Sequence, residues 1–145
     1  MKNTVHYSTT RGERISYGLF FFGGILGYYL IASFFQLYLT NIGIPAAAVG
    51  LIFIGAKVWD AVNDPIFGVI VDKAHFKKGK FLPWLRVAVI TTPIATMLMF
   101  LIPTGVSLQI KIIWATLAYI LWDASSTLYD VPANALVTSM TENLQ

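Results

Sequence analysis

WDAVNDPIFGVIVDK, residues 59–73, sets two carboxylates, an amide and a proline inside a run that is otherwise oil, with Val49–Gly55 before it and Ile66–Val71 after it. A carboxylate at mid-bilayer costs roughly 2.5–3.5 kcal/mol, and this run carries two, so the stretch is a functional candidate by default. At 100° per residue, Lys57, Asp60, Asp64 and Gly68 fall within a sector of roughly 80° on one helix face. Pro65 has no amide to give the carbonyl of Ala61, so that oxygen is freed beside the two acids and a bend is expected there. The result is an oxygen-rich pocket of the kind that hard cations take, and broken or kinked membrane helices commonly supply one. The competing reading pairs Asp60 with Lys57 as a buried structural bridge. One cation cannot neutralise both acids, which weighs against it.

Composition agrees with a membrane setting. Of 145 residues, 57% are hydrophobic and only 12% charged, about half the charge of ordinary soluble domains. Mean hydropathy is +0.69. The chain has no cysteine, which removes disulfides, thiolate metal sites and a Cys nucleophile. The net charge of +3 is not read as a nucleic-acid surface, because the basic residues stand in short flanks beside apolar runs and act as topology signals. The polar opening MKNTVHYSTTRGER is followed by an apolar run too long for a signal-peptide core.

Four runs are long enough to span, at residues 15–38, 46–71, 81–102 and 110–137, preceded by a polar segment at 1–14. The sequence therefore predicts an all-α membrane protein with four transmembrane helices. Lys2, Arg11 and Arg14 precede the first, and Lys73, Lys77, Lys78, Lys80 and Arg86 lie between or just inside the second and third. The opposite connections, 40–45 and 103–109, hold no basic residue, and Lys111 lies just beyond. By the positive-inside rule both termini and the loop at 73–80 are cytoplasmic, in a plasma or inner membrane.

Gly23 and Gly27 stand in small-xxx-small spacing and are expected to admit a neighbouring helix closely. Phe34, Phe35 and Tyr38 are expected in an interfacial aromatic belt. Thr91 and Thr92 are expected to satisfy the backbone that Pro93 frees. The fourth run repeats the puzzle of the second. Asp123, Thr127, Asp130 and Asn134 form one helical stripe, with Pro132 freeing the carbonyl of Leu128.

Both helices run inward, so depth is counted from their outer ends. Asp60 and Asp64 then lie about 21 and 27 Å in, and Asp123, Thr127 and Asp130 about 18, 24 and 28 Å. The stripes match in depth. If the helices face a common cavity, Asp60, Asn63, Asp64 and Thr127 surround one monovalent ion, with Asn63 on the flank of its stripe and reliant on a bend at Pro65.

Ser16-Tyr17-Gly18, Trp59-Asp60-Ala61-x-Asn63-Asp64-Pro65, Gly79-Lys80-Phe81-x-Pro83-Trp84 and Tyr129-Asp130-Val131-Pro132 together resemble the glycoside-pentoside-hexuronide:cation symporters. Gly68-x-x-x-Asp72-Lys73 looks like the helix II–III loop motif of the major facilitator superfamily, whose fold that family shares. The resemblance runs from about residue 15 to the end of the chain. It implies twelve helices in two six-helix halves, of which these four are the first part, and a remainder of the transporter as partner.

It also implies a sodium or proton site at Asp60, Asn63, Asp64 and Thr127, with Asp60 and Asp64 as the charged ligands, and a sugar held by Asp130, with Asn134, Lys57 and Asp123 as further substrate candidates. Helix I departs from the sugar-binding pattern: Gly24-Ile25 stand where a basic residue and an aspartate are expected, and Asn134 stands where a tryptophan packs on sugar. Two alternatives follow, a lysolipid symporter of the same fold and a non-transporting four-helix assembly joined through the glycines of helix I. No enzyme is expected, because His6 and His75 both lie in flanks and no nucleophile–base pair is evident. Beyond the coupling ion no cofactor is implied.

Overall fold

A computed structural model describes residues 9–74 and 81–139. It contains four helices: α1 (Arg11–Asn41), α2 (Ala46–Lys73), α3 (Leu82–Phe100) and α4 (Leu108–Ser139). All four expected spans are helical, and α1 and α4 extend past the apolar runs at both ends. The loop residues Lys77, Lys78, Gly79 and Lys80, together with Lys2, His6 and His75, lie outside the described residues.

Local chemistry sets each boundary. Thr10 caps α1 in a reciprocal box, its backbone amide donating to Glu13 Oε2 at 2.8 Å and its Oγ1 accepting from the Glu13 amide at 3.3 Å. At the other end Gly43 adopts φ +89°, which L side chains rarely tolerate. That conformation lets the Ile44 amide reach the Leu39 carbonyl at 3.1 Å and the Gly43 amide reach the Thr40 carbonyl at 3.0 Å, a Schellman closure. Ile44 and Leu39 are both buried in one cluster, which supplies the accompanying hydrophobic contact. Lys111 donates its Nζ to the Ile42 carbonyl at 2.8 Å, so this basic residue fastens the α1–α2 turn to α4.

α4 packs along both α2 and α3, and α1 touches its neighbours more sparsely. The core concentrates at the end carrying the α1–α2 and α3–α4 turns. There Phe35, which is fully buried, contacts Phe53, Phe100 and Tyr119 with ring centroids 5.7–6.3 Å apart. The Tyr38 hydroxyl donates to the Phe100 carbonyl at 2.8 Å. Phe35 and Tyr38 are therefore core residues joining α1 to α3, and the aromatic belt expected of them does not form; Phe34 remains exposed. At the opposite end Tyr17 Oη ties α1 to the Ala133 carbonyl of α4 at 2.8 Å.

Large apolar side chains such as Leu19, Phe22, Leu26, Ile54, Ile90 and Leu117 point outward and are more than half exposed, as lipid-facing residues are. By length and composition α1, α2 and α3 are apolar enough to cross a membrane. α4 has the length, but its stripe of Asp123, Ser125, Ser126, Thr127, Asp130 and Asn134 dilutes its apolar content, so it does not stand beside the other three on composition alone. Its polar face is turned toward α2 and a cavity. α3, at 19 residues, spans about 28 Å, just the thickness of a hydrocarbon core.

Among the described residues, nothing lies within 4 Å of the position a Cβ would take on Gly23 or Gly27. The close approach is at Gly24, where that position is 2.7 Å from Tyr129 Oη. Thr91 donates to the Val87 carbonyl at 3.1 Å and Thr92 to the Ser125 carbonyl at 3.4 Å, so neither meets Val89, the carbonyl that Pro93 frees. Thr92 instead links α3 to α4.

Candidate cation and substrate cavity

The second and fourth helices meet through a buried polar hub. Asn63 is 3% exposed and Thr127 is 4% exposed, so neither has water to fall back on. Asn63 Nδ2 donates to Thr127 Oγ1 at 3.0 Å, and Thr127 Oγ1 lies 3.0 Å from Asp64 Oδ1 and 3.1 Å from its own helix's Asp123 carbonyl. One hydroxyl proton serves one of the last two acceptors at a time, and only the Asp64 choice adds a link between helices. α2 continues through Pro65 as a single helix, and Asn63 reaches α4 without the helix ending.

Asp60 lies one turn before Asp64 and faces the same space, but its direct partner is Lys57, with Nζ 3.0 Å from Oδ2. Of the four expected cation residues, three are joined by hydrogen bonds. The fourth is held by an ion pair on their rim, the pairing of the structural-bridge reading but not its burial, since the Lys57 side chain is 69% exposed.

A cavity of about 350 Å³ opens on this hub. Lys57, Asp60, Asp64, Asp123, Thr127, Asp130 and Asn134 line it, so three of the four residues expected to hold the ion share one chamber with those expected to hold substrate, and Asn63 stands behind the wall. Tyr28, Tyr119, Trp122, Ser126 and Val131 complete the wall and were absent from the expected set. Tyr119 and Ser126 lie four residues before and three after Asp123, on the stripe's own face, so helical spacing could have found them. Tyr28 was not legible, because α1 is apolar on every side. Asp123 Oδ2 is buried without a hydrogen-bond partner.

A second cavity, of about 560 Å³, lies between α1, α3 and α4 and is lined mainly by apolar groups, among them Leu19, Phe20, Gly24, Met97 and Tyr129. Asp130 borders both chambers. Gly68, Asp72 and Lys73 sit toward the far end of α2, outside both cavity walls, and neither Asp72 nor Lys73 is without an interaction partner. Among the described residues, no three His, Asp or Glu side chains cluster as a metal site. What the hub presents is a carboxylate and a hydroxyl oxygen, hard donors rather than the soft ligands a transition metal prefers, with the Asn63 amide turned to Thr127 through its nitrogen.

A sequence profile described as MFS/sugar transport protein matches residues 16–145. The chain belongs to that family. Its members are transporters, not enzymes, and the four helices are a portion of the major facilitator fold. The motif resemblance to glycoside-pentoside-hexuronide:cation symporters holds.

A Bacillus subtilis protein described as the symporter YjmB is 37% identical over 134 residues, covering 90% of this chain and 29% of its own length. The isoprimeverose transporter of Lactiplantibacillus pentosus is 32% identical over 145 residues, covering 99% of this chain and 29% of its own length. The sodium-dependent lysophosphatidylcholine symporter 1-B of Danio rerio is 34% identical over 110 residues, covering 73% of this chain and 20% of its own. The chain thus spans under a third of the length of these family relatives.

Proposed function

We propose that this chain carries the ion site and part of the substrate site of a cation-coupled symporter, moving a sugar or glycoside with sodium or a proton. The observation that carries the reading is the Asn63–Thr127–Asp64 hub, which brings α2 and α4 together at the wall of one polar chamber. Asp64 and the Thr127 hydroxyl are the inner ion ligands, Asn63 orients the hydroxyl, and Asp60 supplies the second charge. Asp130 accepts hydrogen bonds from substrate hydroxyls, an arrangement carboxylates favour, with Asn134, Lys57 and Asp123 as neighbours.

Ion and substrate then load one cavity, and only the doubly loaded or the empty form exchanges access. At 100 mV one monovalent ion contributes about 2.3 kcal/mol, or roughly fifty-fold accumulation before any chemical gradient. The basic flanks set both ends of the chain on the cytoplasmic face of a plasma or inner membrane, and the rest of the transporter closes the open side.

A lysolipid is the second reading. The larger apolar chamber bordering Asp130 favours it, and one relative is described as a lysophosphatidylcholine symporter. Vesicles carrying the protein, given labelled glycosides or lysolipids under an imposed sodium or proton gradient, separate the two. Gradient-dependent glycoside uptake that is lost in Asp64→Asn supports the first reading; uptake of lysolipid alone replaces it. A non-transporting assembly role requires Asp60→Asn to be silent, and loss of uptake in that variant excludes it.

A further inference from the structure

The two acids of α2 are one turn apart and face one chamber, yet they are held by different partners: Asp64 by the Thr127 hydroxyl, Asp60 by the Lys57 ammonium at 3.0 Å. The Lys57 side chain is 69% exposed, so packing does not fix its stem, and four rotatable bonds let its charge sweep a radius of several ångströms. Asp123 lines the same chamber, and its Oδ2 is buried with no hydrogen-bond partner. Four carboxylates, Asp60, Asp64, Asp123 and Asp130, line the cavity against one cationic side chain. A cation entering between Asp60 and Asp64 arrives beside the ammonium and repels it, and the carboxylate without a partner lies within the same walls.

We propose that Lys57 is a tethered occupant of the cation site, pairing with Asp60 while no ion is bound and moving to Asp123 when one enters. The inference rests on the cation-site reading above and adds a competitor to it. In the ion-free form Lys57 neutralises Asp60, so the site does not carry two bare carboxylates. In the loaded form the ion takes Asp60 and Asp64, and Lys57 compensates Asp123. Removing the ammonium therefore strengthens ion binding, whereas an ordinary structural bridge, once cut, loosens the acid and weakens it.

The test is equilibrium binding of radioactive sodium, with lithium as competitor, to the full 145-residue chain in detergent or liposomes. An ion pair this exposed contributes about 1 kcal/mol, so Lys57→Gln should bind sodium about fivefold more tightly than the parent. The chain has no cysteine, so Lys57→Cys can be modified at one site. Its binding should be tight as the free thiol and return toward the parent value once an ethylammonium methanethiosulfonate adduct restores the positive charge.

Asp123→Asn should weaken sodium binding more with Lys57 present than in the Lys57→Gln background, because only the former needs a second seat for the ammonium. Equal or weaker binding in Lys57→Gln, with the charged adduct making no difference, overturns the exchange. An Asp123→Asn effect of the same size in both backgrounds overturns its second half. If neither the parent nor Lys57→Gln binds sodium or lithium, the chamber is no alkali-ion site, which overturns the sodium form of the cation-site reading and the exchange with it. If the parent binds and Lys57→Gln is no tighter, the exchange alone fails.

Discussion

Thr127→Val keeps the shape of the hub and removes its one shared oxygen, which makes it the sharpest perturbation of the site. The hydroxyl accepts from Asn63 at 3.0 Å and faces Asp64 at 3.0 Å, so its loss cuts two links between α2 and α4 at once. Hydrogen bonds between membrane helices average about 0.6 kcal/mol and reach about 1.7, so two of them predict a loss of about 1–3 kcal/mol. Asn63, 3% exposed, is then left with a buried donor that has no water to turn to, which places the result toward the upper end.

On the proposed function the hydroxyl is a ligand as well as a strut, so ion binding should be hit harder than folding. A ligand present at a hundred times its dissociation constant stabilises the fold by about 2.7 kcal/mol, so the shift of the melting curve with sodium measures occupancy directly. Melting followed by tryptophan fluorescence, with and without sodium, should show a lower midpoint for Thr127→Val and little ion-induced shift, while Thr127→Ser retains both. A Thr127→Val protein that melts like the parent and is stabilised equally by sodium refutes the hub as an ion site.

Other perturbations separate the parts of the account. Gly24→Ala places a methyl 2.7 Å from Tyr129 Oη and 2.9 Å from Cζ, overpacking that should cost about 1–3 kcal/mol in a melt. Adding Tyr129→Phe should recover part of the loss, and full tolerance of Gly24→Ala would show the contact to be slack. Gly27→Ala meets nothing within 4 Å and should instead raise the helix's stability by up to about 1 kcal/mol. Lys111→Met removes the donor at the Ile42 carbonyl and should destabilise the chain by about 1–2 kcal/mol without changing the sodium-induced shift. Asp64→Asn should abolish that shift while leaving the fold helical by circular dichroism.

How much of this was legible in the sequence differs from helix to helix. Where polar residues interrupt an apolar run, the helical period states which side chains share a face, and the cost of exposing them to lipid states that the face must be sheltered. Those two facts placed Asp64 and Thr127 at matching depth, and their 3.0 Å contact follows from it. The period does not say which partner an acid takes, so the sequence leaves Asp60 between the ion and Lys57, three residues before it, and the structure adds the direct Lys57 contact.

α1 gave no such guidance. It is apolar around its whole circumference, and nothing in its pattern marks Phe35 as core or Gly24, rather than Gly23 or Gly27, as the point of closest approach. The sequence places Lys111 only as lying just beyond the 103–109 connection; that it holds a helix terminus was not legible, because a carbonyl left over at a turn is invisible until the turn is built.

The claim everything else depends on is that α2 and α4 grip one small cation between them. Thallium scatters strongly and substitutes for monovalent alkali ions, so diffraction from the protein soaked in a thallium salt locates the site without relying on affinity. The account predicts a single anomalous peak touching both an Asp64 carboxylate oxygen and the Thr127 hydroxyl, lost in Asp64→Asn. A peak bound to one helix alone, or none in that chamber while thallium orders elsewhere in the transmembrane region, contradicts it.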